Sequence, residues 1–452
     1  LLTGTADELT LTLSTNATTG NAAIGTVTVG NTSNTGFETI NVSTATGASQ
    51  LTNIVTGAAT INVTGDQNLT VTGSLAGATT ISASAFTGNL SVVADSAGTS
   101  KDVAITGGSG DDTANFTNGF EASDTFDGGA GTDTLTLTQA TASTTLAGTL
   151  TSVEQLNISD SGTGTIDMDN FSGLTKVIYD AGITANGTAT VDDAVSGIEV
   201  EVDVANLVAA DATLVVDLKT DGTADSATVT LDTISAGDGF ASISVEDAET
   251  LTIAADDDTT DATGTLTIAS LTATDATSLT LSGDSAITIT GTVDPATPVL
   301  ATLDASAMSD ILTLSGTDFS ASGATVTLGS ANDIFTVGTM SGADTIDLSQ
   351  GGNDRIVYTA LAQSDQETDT IKGFTSGSDD IDLTGFSVTG STTGIDTANQ
   401  FGGVHSTFAL ASGALTSTKK VVFQADANTL WLDTDNDQDL DGNDFRVILE
   451  GV

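Results

Sequence analysis

The chain has 452 residues, of which 60 are Asp or Glu and only 8 are Lys or Arg, so its formal net charge is −52. This charge excludes nucleic acid as a partner and binding to an anionic membrane, because both need a basic surface. The absence of Cys excludes disulfides, and no apolar run is long enough for membrane insertion. The carboxylates repel one another in a compact fold, which predicts a bound divalent cation. The alternative is a simply acidic, soluble surface.

Short runs of alternating apolar and polar residues begin near the N-terminus and continue along most of the chain. Examples are ETINVST (38–44), ATINVTG (59–65) and TTISASA (79–85), each closed by Gly, Asn, Asp or Ser. This pattern is typical of strands and turns that recur every 8–12 residues. We therefore predict an all-β fold in which short strands stack as a parallel β-roll or β-helix-like solenoid, mixed with β-sandwich units. A string of immunoglobulin-like sandwiches is the alternative.

Internal repeats suggest the domain organisation. Three pairs of segments align: 61–73 with 279–291, 80–90 with 302–312, and 108–116 with 329–337. We predict a first β unit over 1–137, a second, related β unit over 138–348, and a distinct C-terminal region over 349–452.

Three glutamates occupy matching places in related frames: Glu38 in GFETINVS, Glu154 in SVEQLNIS and Glu249 in DAETLTIA. We expect these glutamates to have structural roles rather than to bind a metal ion. Helical periodicity is hard to find in this chain, and the segment 401–418 is the best weak candidate for a short helix or an irregular excursion.

Two glycine-rich turns, GGSGDD (107–112) and GGAGTD (128–133), follow the frame G-G-x-G-x-D-x-U-x, where U is apolar. Glycines let such a turn adopt positive φ and expose its carbonyls on one side, and the Asp adds a charged oxygen. Calcium prefers six to eight oxygen ligands. The predicted calcium-binding residues are Gly108, Gly110, Asp111, Asp112, Gly129, Gly131 and Asp133. Plain tight turns are the alternative.

This frame is similar to the repeats-in-toxin (RTX) motif of type I secreted proteins. The resemblance implies calcium bound between successive turns of a parallel β-roll. The two copies start 21 residues apart rather than 9. We therefore predict a paired turn with an inserted loop over 116–127, in which Asp124 and Asp127 are additional ligands.

The turn pair is followed by LTSVEQLNIS (150–159) and then by long runs rich in Ala, Thr, Ser and Gly. This combination resembles the crystalline surface-layer (S-layer) proteins of Gram-negative bacteria, which are exported by type I machinery. The resemblance implies a secreted protein at the cell surface, whose partners are other copies of itself in a calcium-dependent two-dimensional lattice. It also implies binding to lipopolysaccharide through a separate region, for which the sequence has no evident candidate.

The segment 329–358 contains Asp333, Asp344 and Asp354, each directly before the apolar start of a strand. We interpret them as calcium ligands in degraded copies of the same turn. The segment 369–386 resembles the closing part of RTX domains, where a strand pair caps the roll. A surface hairpin with charged turns is the alternative.

The C-terminal segment contains Asp437-x-Asp439-x-Asp441-Gly442, the first half of an EF-hand-like loop. The twelfth position is Ile448 rather than Glu. We therefore predict a calcium loop between two strands, to which Asp433 or Asp435 adds ligands. A solvated acidic turn is the alternative.

No catalytic motif is recognisable. His405 is the only histidine, and the sequence has no HExxH, GxSxG or phosphate-binding loop. We expect a structural protein rather than an enzyme. Two further functions stay open: a calcium-dependent adhesin or biofilm matrix fibre, and the non-catalytic carrier part of a secreted hydrolase.

Overall fold

A computed structural model of the protein describes 16 segments of the chain: residues 6–14, 22–29, 37–75, 77–94, 102–117, 119–204, 211–232, 234, 236–256, 264–291, 293–294, 300–315, 323–338, 342–361, 369–386 and 401–451. The chain divides into two compact units. Unit 1 comprises Leu1–Gly182 and Ala189–Glu201, and unit 2 comprises Ile183–Thr188 and Val202–Val452.

The described structure is almost entirely β, with 4% helix. The first strands are β1 Glu8–Ser14, β2 Ala22–Val29, β3 Thr39–Thr46, β4 Ser49–Thr56, β5 Thr60–Gly65, β6 Leu69–Ser74, β7 Thr80–Phe86, β8 Leu90–Val93, β9 Ala104–Thr106, β10 Thr113–Asn115, β11 Thr125–Asp127, β12 Thr134–Leu137, β13 Thr149–Thr151, β14 Gln155–Ile158, β15 Gly164–Asp167, β16 Lys176–Tyr179, β17 Thr188–Ala194 and β18 Ile198–Asp203.

The remaining strands are β19 Ala212–Leu218, β20 Ser226–Asp232, β21 Ala236–Glu246, β22 Thr250–Ala255, β23 Thr265–Ile268, β24 Leu271–Ala273, β25 Ser278–Gly283, β26 Ala286–Ile289, β27 Val293–Asp294, β28 Thr302–Met308, β29 Leu312–Ser315, β30 Thr325–Thr327, β31 Ile334–Thr336, β32 Thr345–Asp347, β33 Arg355–Val357, β34 Asp369–Lys372, β35 Asp380–Asp382, β36 Phe401–His405, β37 Val421–Gln424, β38 Thr429–Leu432 and β39 Phe445–Glu450. The described helices are α1 Gln139–Ala142, α2 Phe408–Ser412 and the 3-10 helix Met168–Asn170.

In unit 1, consecutive strands alternate between two parallel sheets. One sheet has the order β1-β3-β5-β7-β9-β11-β13. The other has the order β2-β4-β6-β8-β10-β12-β14-β16. Because each strand pairs with the strand two places later, every two strands complete one turn of a β-solenoid.

The alternating sequence explains why these turns stack. Ile40 pairs with Ile61, Ile61 with Ile81, and Ile81 with Ile105, and all four side chains are buried. A short strand cannot bury its own apolar face, so the same position on the next turn covers it. The polar residues between these positions point outward, where asparagine side chains form a row: Asn62 Nδ2 donates to Asn41 Oδ1 at 2.8 Å.

In unit 2, one parallel sheet has the order β20-β22-β25-β28-β30-β32-β34. The other has the order β19-β21-β23-β26-β29-β31-β33-β35, with β24 between β21 and β27 at its side. Strand β39 extends the first sheet by pairing with β34 in parallel, and β38 and β37 follow in antiparallel order.

A small core forms where α2 covers one face of this C-terminal extension. It contains Ala411, Leu415, Val422, Trp431 and Leu440. The helix confirms the weak helical prediction for 401–418, and the indole nitrogen of Trp431 donates to Gln424 Oε1 at 3.1 Å. No helix in the described ranges is both long and apolar enough to cross a membrane.

The predicted solenoid is confirmed, and the immunoglobulin-like alternative is wrong, because the described strands pair in parallel outside the C-terminal extension. Separate sandwich units are not seen in the described part of the chain. The strand register continues across both predicted domain borders, since β12 pairs with β14 and β32 pairs with β34. The predicted borders stay a prediction, and the compact units are those given above.

Candidate metal centres

The two glycine-rich turns lie on adjacent turns of the solenoid in unit 1. Residues 107–112 connect β9 to β10, and residues 128–133 connect β11 to β12. The backbone joins them directly, because Ala130 N donates to Gly108 O at 3.0 Å. We call these two segments the unit-1 turn pair. The 21 residues between the starts of the two glycine-rich segments are therefore the length of one full solenoid turn.

Glycine is required in this pair because the neighbouring backbones approach closely. A Cβ atom on Gly107 would lie 2.1 Å from the carbonyl oxygen of Gly128 and 2.4 Å from Asp112 Oδ2. A Cβ atom on Gly128 would lie 2.2 Å from the carbonyl oxygen of Ser152 and 2.4 Å from Asp133 Oδ2. One carbonyl oxygen and one carboxylate oxygen thus converge beside each glycine.

Buried carboxylates bond one solenoid turn to the next. Asp112 Oδ1 accepts from Leu90 N at 2.7 Å, and its Oδ2 accepts from Gly108 N at 2.6 Å. Asp133 Oδ1 accepts from Asp112 N at 2.7 Å, and Glu154 Oε2 accepts from Asp133 N at 2.9 Å. Each acid satisfies a buried N–H group that would otherwise lack a partner. The structural role expected for Glu154 is confirmed.

The other two glutamates expected to be structural form the same kind of bond. Glu38 Oε2 accepts from Asp7 N at 2.7 Å, and Glu249 Oε2 accepts from Asp225 N at 2.6 Å. Both bonds connect adjacent turns, so this part of the prediction is also confirmed.

Asp133 carries the oxygen that best fits a cation. The residue is fully buried, and its Oδ2 atom has no hydrogen-bond partner. Burial, together with the carboxylates of Asp112, Glu154 and Asp111, raises the pKa of this carboxyl to about 6, although the hydrogen bond from Asp112 N opposes the shift. A buried charge of this kind is costly unless a cation neutralises it.

A second row of side chains lies outside the buried one. Asn89 Oδ1 accepts from Asp111 N at 3.1 Å, and Asp111 Oδ1 accepts from Thr132 N at 2.9 Å. Asp111 is exposed. The turn pair therefore has one solvated carboxylate close to its buried ones.

The inserted loop predicted over 116–127 is wrong, because this segment is half of a regular solenoid turn and ends in strand β11. Asp124 directly precedes β11, whereas the glycine turns follow β9 and β11, so it lies at the opposite end of the strand. Both of its oxygens accept from backbone, from Val103 N at 2.8 Å and Glu121 N at 2.7 Å. Asp127 ends β11 beside Gly128 and is half-buried.

Unit 2 contains the same arrangement, which we call the unit-2 turn pair (residues 328–333 and 349–354). Asp333 Oδ1 accepts from Leu312 N at 2.8 Å, and its Oδ2 accepts from Gly329 N at 2.9 Å. Asp354 Oδ1 accepts from Asp333 N at 2.9 Å, and Asp379 Oδ1 accepts from Asp354 N at 3.0 Å.

Asp354 corresponds to Asp133. Its Oδ2 atom is buried and has no hydrogen-bond partner. Burial raises the pKa of Asp354 to about 7, assisted by the carboxylates of Asp333 and Asp379, and burial also raises the pKa of Asp333 to about 6.

Asp344 belongs to the other end of the strands in unit 2, as Asp124 does in unit 1. Its Oδ1 accepts from Ala324 N, and Asp369 Oδ1 accepts from Asp344 N at 3.2 Å. The structure therefore places Asp344 in a second column, away from the turn that contains Asp333 and Asp354.

A third cluster lies at the mouth of the C-terminal hairpin. Strands β38 and β39 pair antiparallel, with Leu432 opposite Phe445, so Asp433 and Asp444 stand side by side. Their carboxylates and that of Asp435 approach within 4.8 Å of one another. Burial, together with the carboxylates of Asp433 and Asp435, raises the pKa of Asp444 to about 6.

The carboxylates of this cluster also accept hydrogen bonds from backbone N–H groups, and one of them lies beside a lysine ammonium group. Asp433 Oδ1 accepts from Asn436 N at 2.7 Å, and Asp444 Oδ1 accepts from Thr434 N at 2.8 Å. Lys420 Nζ lies 3.4 Å from Asp433 Oδ2, and both side chains are buried. The site is thus more strongly charged and more enclosed than a surface turn.

The three alternating carboxylates do not join this cluster. Asp437, Asp439 and Asp441 are exposed. Asp437 Oδ1 accepts from Asp439 N at 2.8 Å, and Asp441 Oδ1 accepts from Asn443 N at 2.7 Å, so these oxygens form local turns. The EF-hand-like arrangement is not seen in this segment, although calcium binding by these residues stays a prediction.

The donor sets fit calcium. In the two turn pairs, the side-chain and carbonyl groups that converge are oxygens, which are the ligands of a hard divalent cation. Asp133 and Asp354 each leave one buried oxygen without a partner. The close approach of oxygen atoms at Gly107 and Gly128 leaves no room for a Cβ atom there. Three further acids of these sites were not predicted from the sequence: Asp369, Asp379 and Asp444. Each stands at or directly before the start of a strand, as Asp112 and Asp133 do, and that position was the available signal.

The geometry agrees with a comparison of known protein families. Residues 299–451 match the family described as Peptidase M10 serralysin C terminal. It is an RTX-type repeat family of type I secreted proteins, whose β-roll repeats typically bind calcium. The match includes the unit-2 turn pair and the C-terminal hairpin, and it covers no residue of unit 1. No curated protein matches the chain.

Proposed function

We propose that this chain is a calcium-binding structural protein that is secreted and assembles with its own copies into a two-dimensional surface layer on a bacterial cell. The observation that carries the proposal is the buried oxygen without a partner in each turn pair, Asp133 Oδ2 and Asp354 Oδ2. A chain with net charge −52 needs a counter-charge both to fold tightly and to approach a second copy.

The residues of each turn pair would supply different oxygen ligands to a bound ion. Asp133 and Asp354 would supply the buried carboxylate oxygen, and Asp112 and Asp333 the adjacent carboxylate. The turn carbonyls beside Gly107 and Gly128 supply neutral oxygens. An ion held by these residues would supply two positive charges to offset the buried carboxylates. The backbone bonds of the same acids keep the turns in register.

We further propose that the chain has no catalytic role. His405, its only histidine, is half-buried, and its Nε2 lies 3.2 Å from the carbonyl oxygen of Gly402. That environment holds the ring against its own strand. A structural function accounts for the buried acids as backbone acceptors and ion ligands.

Electron microscopy tests this proposal. The purified chain is dialysed against a chelator and then supplied with millimolar calcium. We expect flat sheets only with calcium. The double variant Asp133→Asn/Asp354→Asn should need more calcium to form sheets, whereas the exposed Asp66→Asn should behave like the wild type. Sheets that form equally well in chelator would contradict the calcium-dependent mechanism.

The main alternative is a calcium-dependent adhesin or biofilm matrix fibre built from the same stacked turns. Regular filaments in place of sheets would favour it. In either assembly, binding to lipopolysaccharide through another region stays a prediction.

The family match favours one further candidate, because the description names the C-terminal part of a peptidase. In that case the chain would be the non-catalytic carrier part of a longer secreted hydrolase. Sequencing the coding region upstream of Leu1 tests this directly. A zinc-protease or lipase domain there would support the candidate.

A further inference from the structure

The three antiparallel strands of the C-terminal extension bring a lysine and two acids into one row. Strands β37 and β38 pair with Val421 opposite Leu432. The next position therefore puts Lys420 opposite Asp433, whose backbone N–H donates to the Lys420 carbonyl oxygen at 2.9 Å. The pairing of β38 with β39 puts Asp444 on the other side of Asp433. One basic and two acidic side chains thus start from neighbouring positions at the same end of the sheet.

The row is buried, so its charges are costly unless they offset one another. Lys420 is 3% exposed and Asp433 is fully buried, and the ammonium nitrogen Nζ lies 3.4 Å from Asp433 Oδ2. Asp444 is 6% exposed. The carboxylates of Asp433, Asp444 and the exposed Asp435 lie within 4.8 Å of one another. Buried acids this close need a positive charge, and Lys420 lies where it can supply one.

The two turn pairs differ from this row in the source of their positive charge. Among the described residues, no Lys or Arg forms an ion pair with Asp133 or Asp354. Their buried charges therefore need an ion from solution. At the hairpin, an ion from solution would have to enter beside an ammonium group that is already buried, and its two positive charges would repel Lys420.

We propose that Lys420 is the built-in counter-ion of the hairpin mouth, and that strands β37–β39 therefore keep their fold without calcium. These strands are joined by antiparallel backbone ladders and share the apolar core under α2, neither of which needs an ion. The inference rests on the proposed function only in taking calcium as the ion of the turn pairs. The response of the described structure to calcium should then be confined to the solenoid.

Hydrogen–deuterium exchange of the full chain, measured by mass spectrometry in chelator and in millimolar calcium, tests this inference. Exchange of a backbone amide reports local opening of its hydrogen bond. In the wild type, amides of 429–450 should exchange at rates within about twofold of each other in the two conditions. Amides of 107–133 and 328–354 should slow about tenfold or more in calcium. A slowing of about tenfold at 429–450 would overturn the proposal.

Removing the ammonium group should make the hairpin depend on calcium. Lys420→Met leaves the buried carboxylates without their cation, which is strongly destabilising. In chelator, amides of 429–450 should exchange about tenfold faster than in the wild type or more, and calcium should slow them again, because an ion can take the vacated place. The matched control is Lys419→Met, since the neighbouring Lys419 is half-buried and forms no ion pair with a described residue. Equal exchange in the two variants would contradict the proposal.

A double variant separates the loss of charge from a failure to fold. Lys420→Met/Asp433→Asn removes both members of the ion pair, and replacing a buried pair by neutral groups is often close to neutral for stability. The Asn can still accept the hydrogen bond that Asn436 N donates to Asp433 Oδ1. In chelator, exchange at 429–450 should return to within about threefold of the wild type. Exchange as fast as in Lys420→Met would overturn the role of the ion pair.

The same measurement distinguishes the inference from the proposed function. If the hairpin and the turn pairs both respond to calcium in the wild type, the inference fails and the proposed function survives. If the hairpin behaves as expected while the turn pairs do not respond, calcium binding by the turn pairs fails and the role of Lys420 survives.

Discussion

The two turn pairs are versions of one structure, although only the second lies in the segment that matches a known family. The similarity extends to strands that precede the turn pairs in sequence, because Gly65 and Gly283 both take positive φ, 118° and 120°, as the last residues of strands that align. The strand register shifts at corresponding places, between Asn62 and Thr64 in unit 1 and between Thr280 and Ser282 in unit 2. Bulges and turn conformation are therefore shared along with the strands.

The difference between the pairs lies in their glycines and outer side chains. Unit 1 has Gly107 and Gly110, where unit 2 has Leu328 and Ala331. The acids that accept backbone bonds and leave one oxygen free are kept in both. The buried carboxylates, rather than the glycines, are therefore the constant feature of this turn. A search for complete glycine frames finds the unit-1 turn pair and overlooks the unit-2 turn pair.

The largest expected effect comes from removing the whole carboxylate. Asp133→Ala and Asp354→Ala each leave a buried N–H group of the preceding turn, that of Asp112 or Asp333, without its acceptor, at a cost of about 1–3 kcal/mol in chelator. They should also remove most of the stabilisation of the folded chain by calcium, which is about 2.7 kcal/mol for one site when the calcium concentration is 100 times the Kd. Thermal unfolding measures both effects.

The matched controls for this experiment are Asp66→Ala and Asp284→Ala, two exposed acids at corresponding positions in the aligned segments. Both should change the unfolding temperature by much less. If only one of the two turn-pair variants were destabilised, the structural equivalence of the pairs would be lost.

Replacing the same acids by Asn should change the folding stability in opposite directions without and with calcium. Asp133→Asn and Asp354→Asn keep an oxygen that can accept the backbone bond but lose the buried charge, whose burial raises the pKa of each Asp. In chelator the variants should match or exceed wild-type stability. In millimolar calcium they should be less stable than wild type. A loss of similar size in both conditions would assign these acids a purely structural role.

The pH dependence should follow the raised pKa values, about 6 for Asp133 and about 7 for Asp354. Between the unfolded pKa near 4 and these values, the folded chain binds more protons than the unfolded chain. Without calcium, stability should therefore rise as pH falls from about 8 to about 5. Calcium stabilisation should fade over the same interval, because protons compete for the ligands. Calorimetric unfolding scans check both trends, and a calcium-free chain that loses stability on acidification to pH 5 would contradict this account.

The smallest expected effect concerns the outer row. Asp111 in unit 1 corresponds to Asn332 in unit 2, and both accept a backbone bond, from Thr132 and Asn353 respectively. Asp111→Asn should weaken calcium binding in unit 1 roughly 2- to 10-fold at low salt, and Asn332→Asp should strengthen it in unit 2, since exposed charges are partly screened. Calcium titration calorimetry at two salt concentrations would detect the changes, and equal affinities would show that the outer carboxylate does not contribute.

Much of the fold was predictable because strand position depends on local alternation. The segment 38–44 predicted a strand, and β3 covers Thr39–Thr46. Pairing was harder to predict, because it depends on which distant turn stacks on which. The 21-residue spacing predicts an inserted loop, whereas in the structure it is the length of one solenoid turn.

The site was predicted in part, for a related reason. Complete glycine frames predict their acids as ligands, but the alternating run from Asp437 to Asp441 gives no signal for Asp444. Only the antiparallel pairing of β38 with β39 brings Asp444 beside Asp433. Burial, which separates these acids from their exposed neighbours, depends on tertiary packing and is not visible in a list of carboxylates.

A crystal structure of the chain grown in millimolar calcium tests the central claim most directly. We predict an ion in each turn pair, with Asp133 Oδ2 in unit 1 and Asp354 Oδ2 in unit 2 as ligands at about 2.3–2.6 Å. Turn pairs without an ion, with both oxygens still lacking a partner, would contradict the claim that these buried acids bind calcium.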